Sequence, residues 1–92
     1  MIFQYEKERV YAKDKSGHLL AEITFPQNGG RADINHTFVD PSLRGQGIAD
    51  KLVRAALQQI AEAEKQPFAT CPYVVKWFEE HPEELNALFP AP

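Results

Sequence analysis

The sequence predicts an α+β fold in which an antiparallel β-meander precedes a helix, a short strand and a second helix. Three observations carry this reading. In 18–25 and again in 31–39 apolar residues recur at every second position, the period of half-buried strands. From Ile48 onward they recur at helical spacing, at Leu52, Val53, Ala56, Leu57 and Ile60. Between these patterns lies Asp40-Pro41-Ser42-Leu43-Arg44-Gly45-Gln46-Gly47-Ile48-Ala49-Asp50, so a strand turns through a glycine-rich loop into the longest amphipathic helix of the chain.

In chain order, Ile2 to Lys7 and Arg9 to Asp14 read as two short strands, and Asp14-Lys15-Ser16-Gly17 has hairpin turn chemistry. His18 to Phe25 alternates, with Leu19, Ala21, Ile23 and Phe25 on one face. Pro26-Gln27-Asn28-Gly29-Gly30 is a second turn. Arg31 to Val39 is expected as one strand, with Ala32, Ile34, His36 and Phe38 on one face and Asp33, Asn35 and Thr37 on the other. The first helix is expected from about Gly47 to Lys65, where Asp50 and Lys65 complement its dipole and Gln66-Pro67 breaks it. Phe68-Ala69-Thr70-Cys71 then forms a strand near parallel to Arg31–Val39, joined by a right-handed crossover. Tyr73 to Glu80 forms the second helix with Val74, Trp77 and Phe78 inward, and Pro82 to Leu88 adds a short helical turn.

At 92 residues the chain is expected to be a single domain, 1–92, and 43% hydrophobic residues suffice for a modest core without staples. The single cysteine excludes an intrachain disulfide. The N-terminus lacks a basic start and an apolar core, so no signal peptide is expected, and no apolar run approaches the ~20 residues that span a bilayer. The expected location is the cytoplasm, with no membrane partner and a monomer or weak dimer as the solution state. A net charge of −3 argues against nucleic-acid binding, which calls for a basic face. It is compatible with a small anionic ligand, for which two or three placed cations and a helix N-terminus suffice.

The glycine loop sits where unpaired backbone N–H groups and the positive end of a helix dipole point the same way, the geometry that grips a phosphate. Two known loops of this kind do not fit. No G-x-x-x-x-G-K-[ST] string exists, and a dinucleotide-binding G-x-G-x-x-G would place Asp50 against the pyrophosphate. Arg44-Gly45-Gln46-Gly47-Ile48-Ala49 instead resembles the [QR]-x-x-G-x-[GA] signature of the GNAT superfamily of N-acetyltransferases. The flanks Val39, Asp40-Pro41 and Leu43 and the order of elements extend the likeness over nearly the whole chain. The short length and Cys71-Pro72-Tyr73-Val74 look most like its stand-alone mini-acetyltransferase branch.

The resemblance implies a GNAT-like fold with a V-shaped split between the last two strands, and acetyl-CoA-dependent acetyl transfer to an amine. The partners implied are CoA, as acetyl-CoA, and an amine acceptor. Gly45 and Gly47 admit close backbone approach, the amides from Arg44 through Gln46 and Ile48 to Ala49 form an anion nest, and Ala49 keeps the second helical position small. The pantetheine arm would pair with the strand edge at Phe38 and Val39. Lys51, Arg54 and Lys76 are candidates for the 3′-phosphate, although solvated helix charges are the simpler reading. The short N-terminal region suggests a shallow site suited to a flexible amine such as a lysine side chain or a polyamine.

Transfer to an amine needs a base for the amine and a proton for the departing thiolate. Many GNATs use a tyrosine of the last helix as the acid. Here Phe78 occupies that position, and Tyr73 is the nearest replacement. Cys71 ends the second strand of the V just before a helix N-terminus, which lowers a thiol pKa and suits an acyl acceptor or a proton donor. His36, on the strand entering the loop, is the candidate base for the amine or for Cys71. His18 and His81 read as surface or helix-end residues, and one cysteine with three scattered histidines makes no metal site. Phe78 also opens a second reading, a CoA-binding module without chemistry that acts as a sensor or partner subunit.

Overall fold

The computed structural model describes residues 1–90. Its elements are β1 (Gln4–Glu6), β2 (Arg9–Lys13), β3 (Leu19–Thr24), β4 (Gln27–Asn28), β5 (Arg31–Ile34) and β6 (His36–Val39). A 3₁₀ turn (Pro41–Leu43), α1 (Ile48–Glu62), β7 (Gln66–Ala69), α2 (Pro72–Glu80) and α3 (Pro82–Leu88) follow. The expected α+β order holds. Strands β1-β2-β3-β6 form one antiparallel sheet, and β4-β5-β7 a second in which β5 and β7 run parallel.

The expected single strand Arg31–Val39 is two strands, broken at Asn35. Asn35 donates its backbone N–H to the Thr24 carbonyl, and its side-chain oxygen accepts from Thr24 Oγ1 at 2.6 Å. One polar residue, bonded to Thr24 through both its backbone and its side chain, thus interrupts the ladder. The interruption shifts the phase of the alternation. Ala32 and Ile34 are buried, but beyond Asn35 the inward residues are Thr37 and Val39, opposite the fully buried Ile23 and Ala21. His36 and Phe38 therefore lie on the opposite face from Ala32 and Ile34, which corrects the face assignment made from alternation.

Three further boundaries differ. The turn at Pro26–Gly30 carries the short β4, which pairs with β5. Helix α1 ends at Glu62, and its end is a Schellman motif: Glu64, at φ 58°, donates to the Ala61 carbonyl, and Lys65 donates to the Ile60 carbonyl. The last strand begins at Gln66 rather than Phe68, because Pro67 sits within an edge strand, where no ladder N–H is required of it.

All three helices cover one face of the sheets. Leu52, Val53, Ala56, Leu57 and Ile60 of α1 bury against Val10, Ala21, Ile23 and Ile34, and Val74 and Trp77 of α2 close the same core. The opposite face, with Arg9, Tyr11, Glu22, Thr24, His36 and Phe38, carries no layer among the described residues. No helix among them is long and apolar enough to cross a membrane.

Candidate functional site

The site is built where β6 leaves the sheet. Asp40 donates its backbone N–H to the Leu20 carbonyl, the last rung between β6 and β3. Its carboxylate accepts from the Ser42 amide at 3.1 Å and from the Ser42 hydroxyl, which starts the 3₁₀ turn and holds the Asp40 carboxyl below its usual pKa. Gly45 and Gly47 then take φ of 83° and 73°, the left-handed region that L side chains avoid. Gly47 is the N-cap of α1 and has no side chain to offer the helix's first amides. The amides of Ile48, Ala49 and Asp50 are left to whatever lies in front of the loop. A Cβ built on Gly45 or Gly47 meets nothing within 4 Å, so the space in front of both is open.

That space is a cleft of about 230 Å³ lined by Val39, Leu43, Arg44, Gly45, Gly47, Ile48, Ala49, Asp50 and Tyr73. Six of the expected ligand-binding residues therefore converge with Tyr73. Gln46 turns the other way, into a groove of about 550 Å³ that it borders with Ile48, Lys51, Leu43 and the N-terminal Met1, Phe3 and Tyr5. Lys76 is exposed on α2 and lines neither space. Arg54 is committed elsewhere, to Asp50 through Nε at 2.8 Å and to Glu84.

The V is present. Bonds from the Thr70 and Cys71 amides to the Ile34 carbonyl, 3.0 and 3.2 Å, are the last between β7 and its neighbour, and beyond them β6 turns to β3 alone. The Asp40 rung sets the antiparallel alternation: Phe38 and Asp40 bond to β3, while the N–H and C=O of Thr37 and Val39 point away from it, toward the gap. At the vertex, Cys71 Sγ lies 3.4 Å from Thr37 Oγ1, and the thiol is buried, 8% exposed. Burial raises its pKa, but the Thr37 hydroxyl and the amides of Val74, Tyr73 and Thr37 outweigh this and lower it overall. No capping hydrogen bond of ordinary geometry forms from Cys71 to α2. The amides act here as nearby dipoles.

His36 does not meet Cys71. The phase shift at Asn35 puts Thr37 there instead and turns His36 to the open face, where Nε2 lies 3.3 Å from Glu22 Oε1. Phe38 shares that open face, opposite Glu22. Tyr73 is 42% exposed, and burial, then the negative charges of Asp50 and Glu80, raise its pKa, so the phenol holds its proton. Phe78 is half-buried with its ring edge-on to Trp77.

Sequence reasoning missed Thr37, Glu22 and the role of Asp50. Asp50 accepts from Trp77 Nε1 at 2.7 Å and from Arg54, so it fastens α2 to the first turn of α1. The Asp50–Arg54 spacing of four on a helix signalled half of this. Thr37 and Glu22 were hidden by the assumption of unbroken alternation.

Comparison with known proteins agrees with this geometry. A family model described as GCN5-related N-acetyl-transferase matches residues 9–88. The chicken and human proteins called NATD1 are each 40% identical over 66 residues, 71% of this chain, and the match covers 60% and 58% of their own length. The chain thus spans about 60% of the curated relatives it matches. Among solved structures, the solution structure of a GCN5-like protein of Staphylococcus aureus superposes with TM-score 0.72 at 25% identity, covering 95% of this chain and 82% of that one. The ribosomal-protein-S18-alanine N-acetyltransferase of Escherichia coli shares the fold alone, at TM-score 0.64 and 13% identity over 84% of this chain and 53% of that one. With its uncapped glycine loop, its V and its matched length, the chain belongs to the GCN5-related N-acetyltransferase family.

Proposed function

We propose that the protein is an acetyl-CoA-dependent N-acetyltransferase that moves an acetyl group to an amine. The observation that carries the reading is the open end of the V: uncapped helix amides at Ile48, Ala49 and Asp50 beside strand groups at Thr37 and Val39 that β3 does not use. These donors fit an elongated ligand with phosphates at one end and amides along its arm. The backbone of Arg44, Gly45, Gly47, Ile48 and Ala49 would hold the pyrophosphate of acetyl-CoA. The N–H and C=O groups of Thr37 and Val39, rather than those of Phe38, which bond to β3, would pair with the pantetheine arm; Gln46 and Lys76 do not line this cleft. When bound, acetyl-CoA supplies the activated acetyl group.

The residues of the chain supply the proton handling. His36, on the open face, takes the proton of the incoming amine. Tyr73, whose phenol keeps its proton and which lines the cleft with Gly45 and Gly47, gives the departing sulfur a proton. Cys71 closes the vertex, where its thiol is a second proton source or an acyl acceptor. Among the described residues the open face is a shallow approach, which suits a flexible primary amine such as a lysine side chain or a polyamine.

Incubation with acetyl-CoA and a panel of amines, following free thiol and protein mass together, tests this. The expected result is acceptor-dependent thiol release that Tyr73→Phe slows by roughly 10²-fold. A mass increase of one acetyl group, lost in Cys71→Ala, would identify Cys71 as the acyl acceptor. Binding without turnover would favour a CoA-binding module, the reading to which Phe78 in place of the family's usual tyrosine points.

A further inference from the structure

One carboxylate near the site has no part in the scheme above. Glu22 lies mid-strand in β3, directly opposite Phe38 of β6, and its side chain is only 17% exposed although the face around it has no covering layer. Its two oxygens are divided. Oε2 receives Arg9 Nε at 2.5 Å, and Oε1 lies 3.3 Å from His36 Nε2. Arg9 is itself held from both sides, by the ring of Tyr11 at 3.9 Å and by Glu6 at 3.6 Å. Of the charged and titratable groups on this face, Glu22 from β3 meets His36 directly, while Arg9 and Tyr11 from β2 and Glu6 from β1 are linked to it only through Glu22. The histidine is otherwise loose, with a half-exposed side chain. A free surface histidine samples several rotamers; this one has a shielded, anchored carboxylate on one nitrogen.

We propose that Glu22 is a positioning residue for acetyl transfer: it holds His36 beside the vertex of the V with Nε2 engaged and Nδ1 free to take the proton of an amine arriving over the open face. The inference rests on the reading of the protein as an acetyltransferase. Transfer forms one N–C bond and breaks one C–S bond; one proton leaves the amine nitrogen and one must reach the departing sulfur. His36 Nδ1 takes the first and the Tyr73 hydroxyl supplies the second, so protons balance across the two faces of the sheet. Arg9 keeps the Glu22 carboxylate in place by occupying the oxygen that His36 does not use.

The test compares wild type, Glu22→Gln, His36→Ala and the double variant with acetyl-CoA and spermidine. Glu22→Gln is isosteric and keeps an acceptor for Arg9, so it is expected to retain the wild-type fold, which circular dichroism checks. His36→Ala is expected to lower kcat by roughly 10²-fold, the scale of a general base, and Glu22→Gln by about tenfold, a fraction of that effect, with KM for acetyl-CoA unchanged in both. Because Glu22 acts only through His36, the double variant is no slower than His36→Ala, which is the non-additivity of residues acting as a unit. Three-bond couplings of the His36 side chain report one rotamer in wild type and averaging in Glu22→Gln. A Glu22→Gln effect that persists in the His36→Ala background, or an averaged rotamer in wild type, overturns the positioning role while leaving the acetyltransferase reading intact. Failure of wild type to turn over spermidine or any other amine of the panel, with acetyl-CoA bound, overturns the acetyltransferase reading and this role with it.

Discussion

Gly47 combines two demands at one residue. Its φ of 73° is strained for any L side chain, and its position in front of α1 leaves the first helical amides open. Since a Cβ there meets nothing within 4 Å, Gly47→Ala costs only the left-handed backbone, about 1–2 kcal/mol. The same methyl stands in the space where a phosphate would approach, so CoA affinity should fall at least tenfold, more than the stability loss accounts for. Calorimetry on the folded variant checks this, and unchanged affinity would remove the loop as the binding site. Asp50, three residues on, carries a different load. Arg54 first, then the Trp77 indole, holds its carboxyl below the usual carboxylate range, against the opposing effect of burial. A depressed folded pKa means stabilisation that is complete above the unfolded value of about 3.9 and disappears as pH falls through the folded value. Acid unfolding below about pH 4 should therefore be shallower in Asp50→Asn than in wild type, as melting temperatures measured across pH 2 to 6 would show. The glycines were legible in the sequence, because a loop before a helix makes simple demands, and so was Asp50 as a first-turn acid, but not its bond to Trp77. Glu22 and Thr37 were not, because their roles depend on which face a strand presents, and that was decided by one residue, Asn35.

At the scale of elements, the helices and the meander follow from periodicity and turn residues, while the breaks follow from hydrogen bonding that periodicity does not encode. Asn35 satisfies its backbone through Thr24 and so divides β5 from β6; the division opens the V. Pro67 reads as a helix breaker but stands in β7, the outer strand of its sheet, where the lack of an N–H blunts an edge. The end of α1 likewise lies three residues before the expected Lys65, because Glu64 adopts the left-handed conformation of a Schellman motif. A glutamate pays a penalty there that glycine does not. Glu64→Gly is expected to stabilise the protein by up to about 1 kcal/mol in urea unfolding, the left-handed relief net of glycine's greater chain entropy. A loss of stability would mean that the Glu64 side chain contributes contacts outweighing its backbone strain.

For the whole molecule, the controlling feature is that every helix lies on one side of the sheets. The core forms between α1, α2 and the inner strand faces, so stability resides there and the opposite face is left uncovered among the described residues. The arrangement also localises the response to ligand. The β1–β2 hairpin is hydrogen-bonded within its own sheet and lies outside the cleft, whereas β6, the loop, the start of α1 and the start of α2 all border it or the gap above it. CoA at the loop would satisfy the amides of the first turn of α1, and its arm would reach the N–H and C=O of Val39 that β3 leaves unused. Hydrogen exchange with and without CoA should then show added protection at 37–49 and 70–76, with β1 and β2 unchanged. Protection confined to 2–14 would place the ligand instead in the groove that Met1, Phe3 and Tyr5 form with Gln46 and Lys51, on the other side of the loop. That outcome would keep the family and the fold but move the binding site, and it would leave the uncapped amides of Ile48 to Asp50 without a ligand.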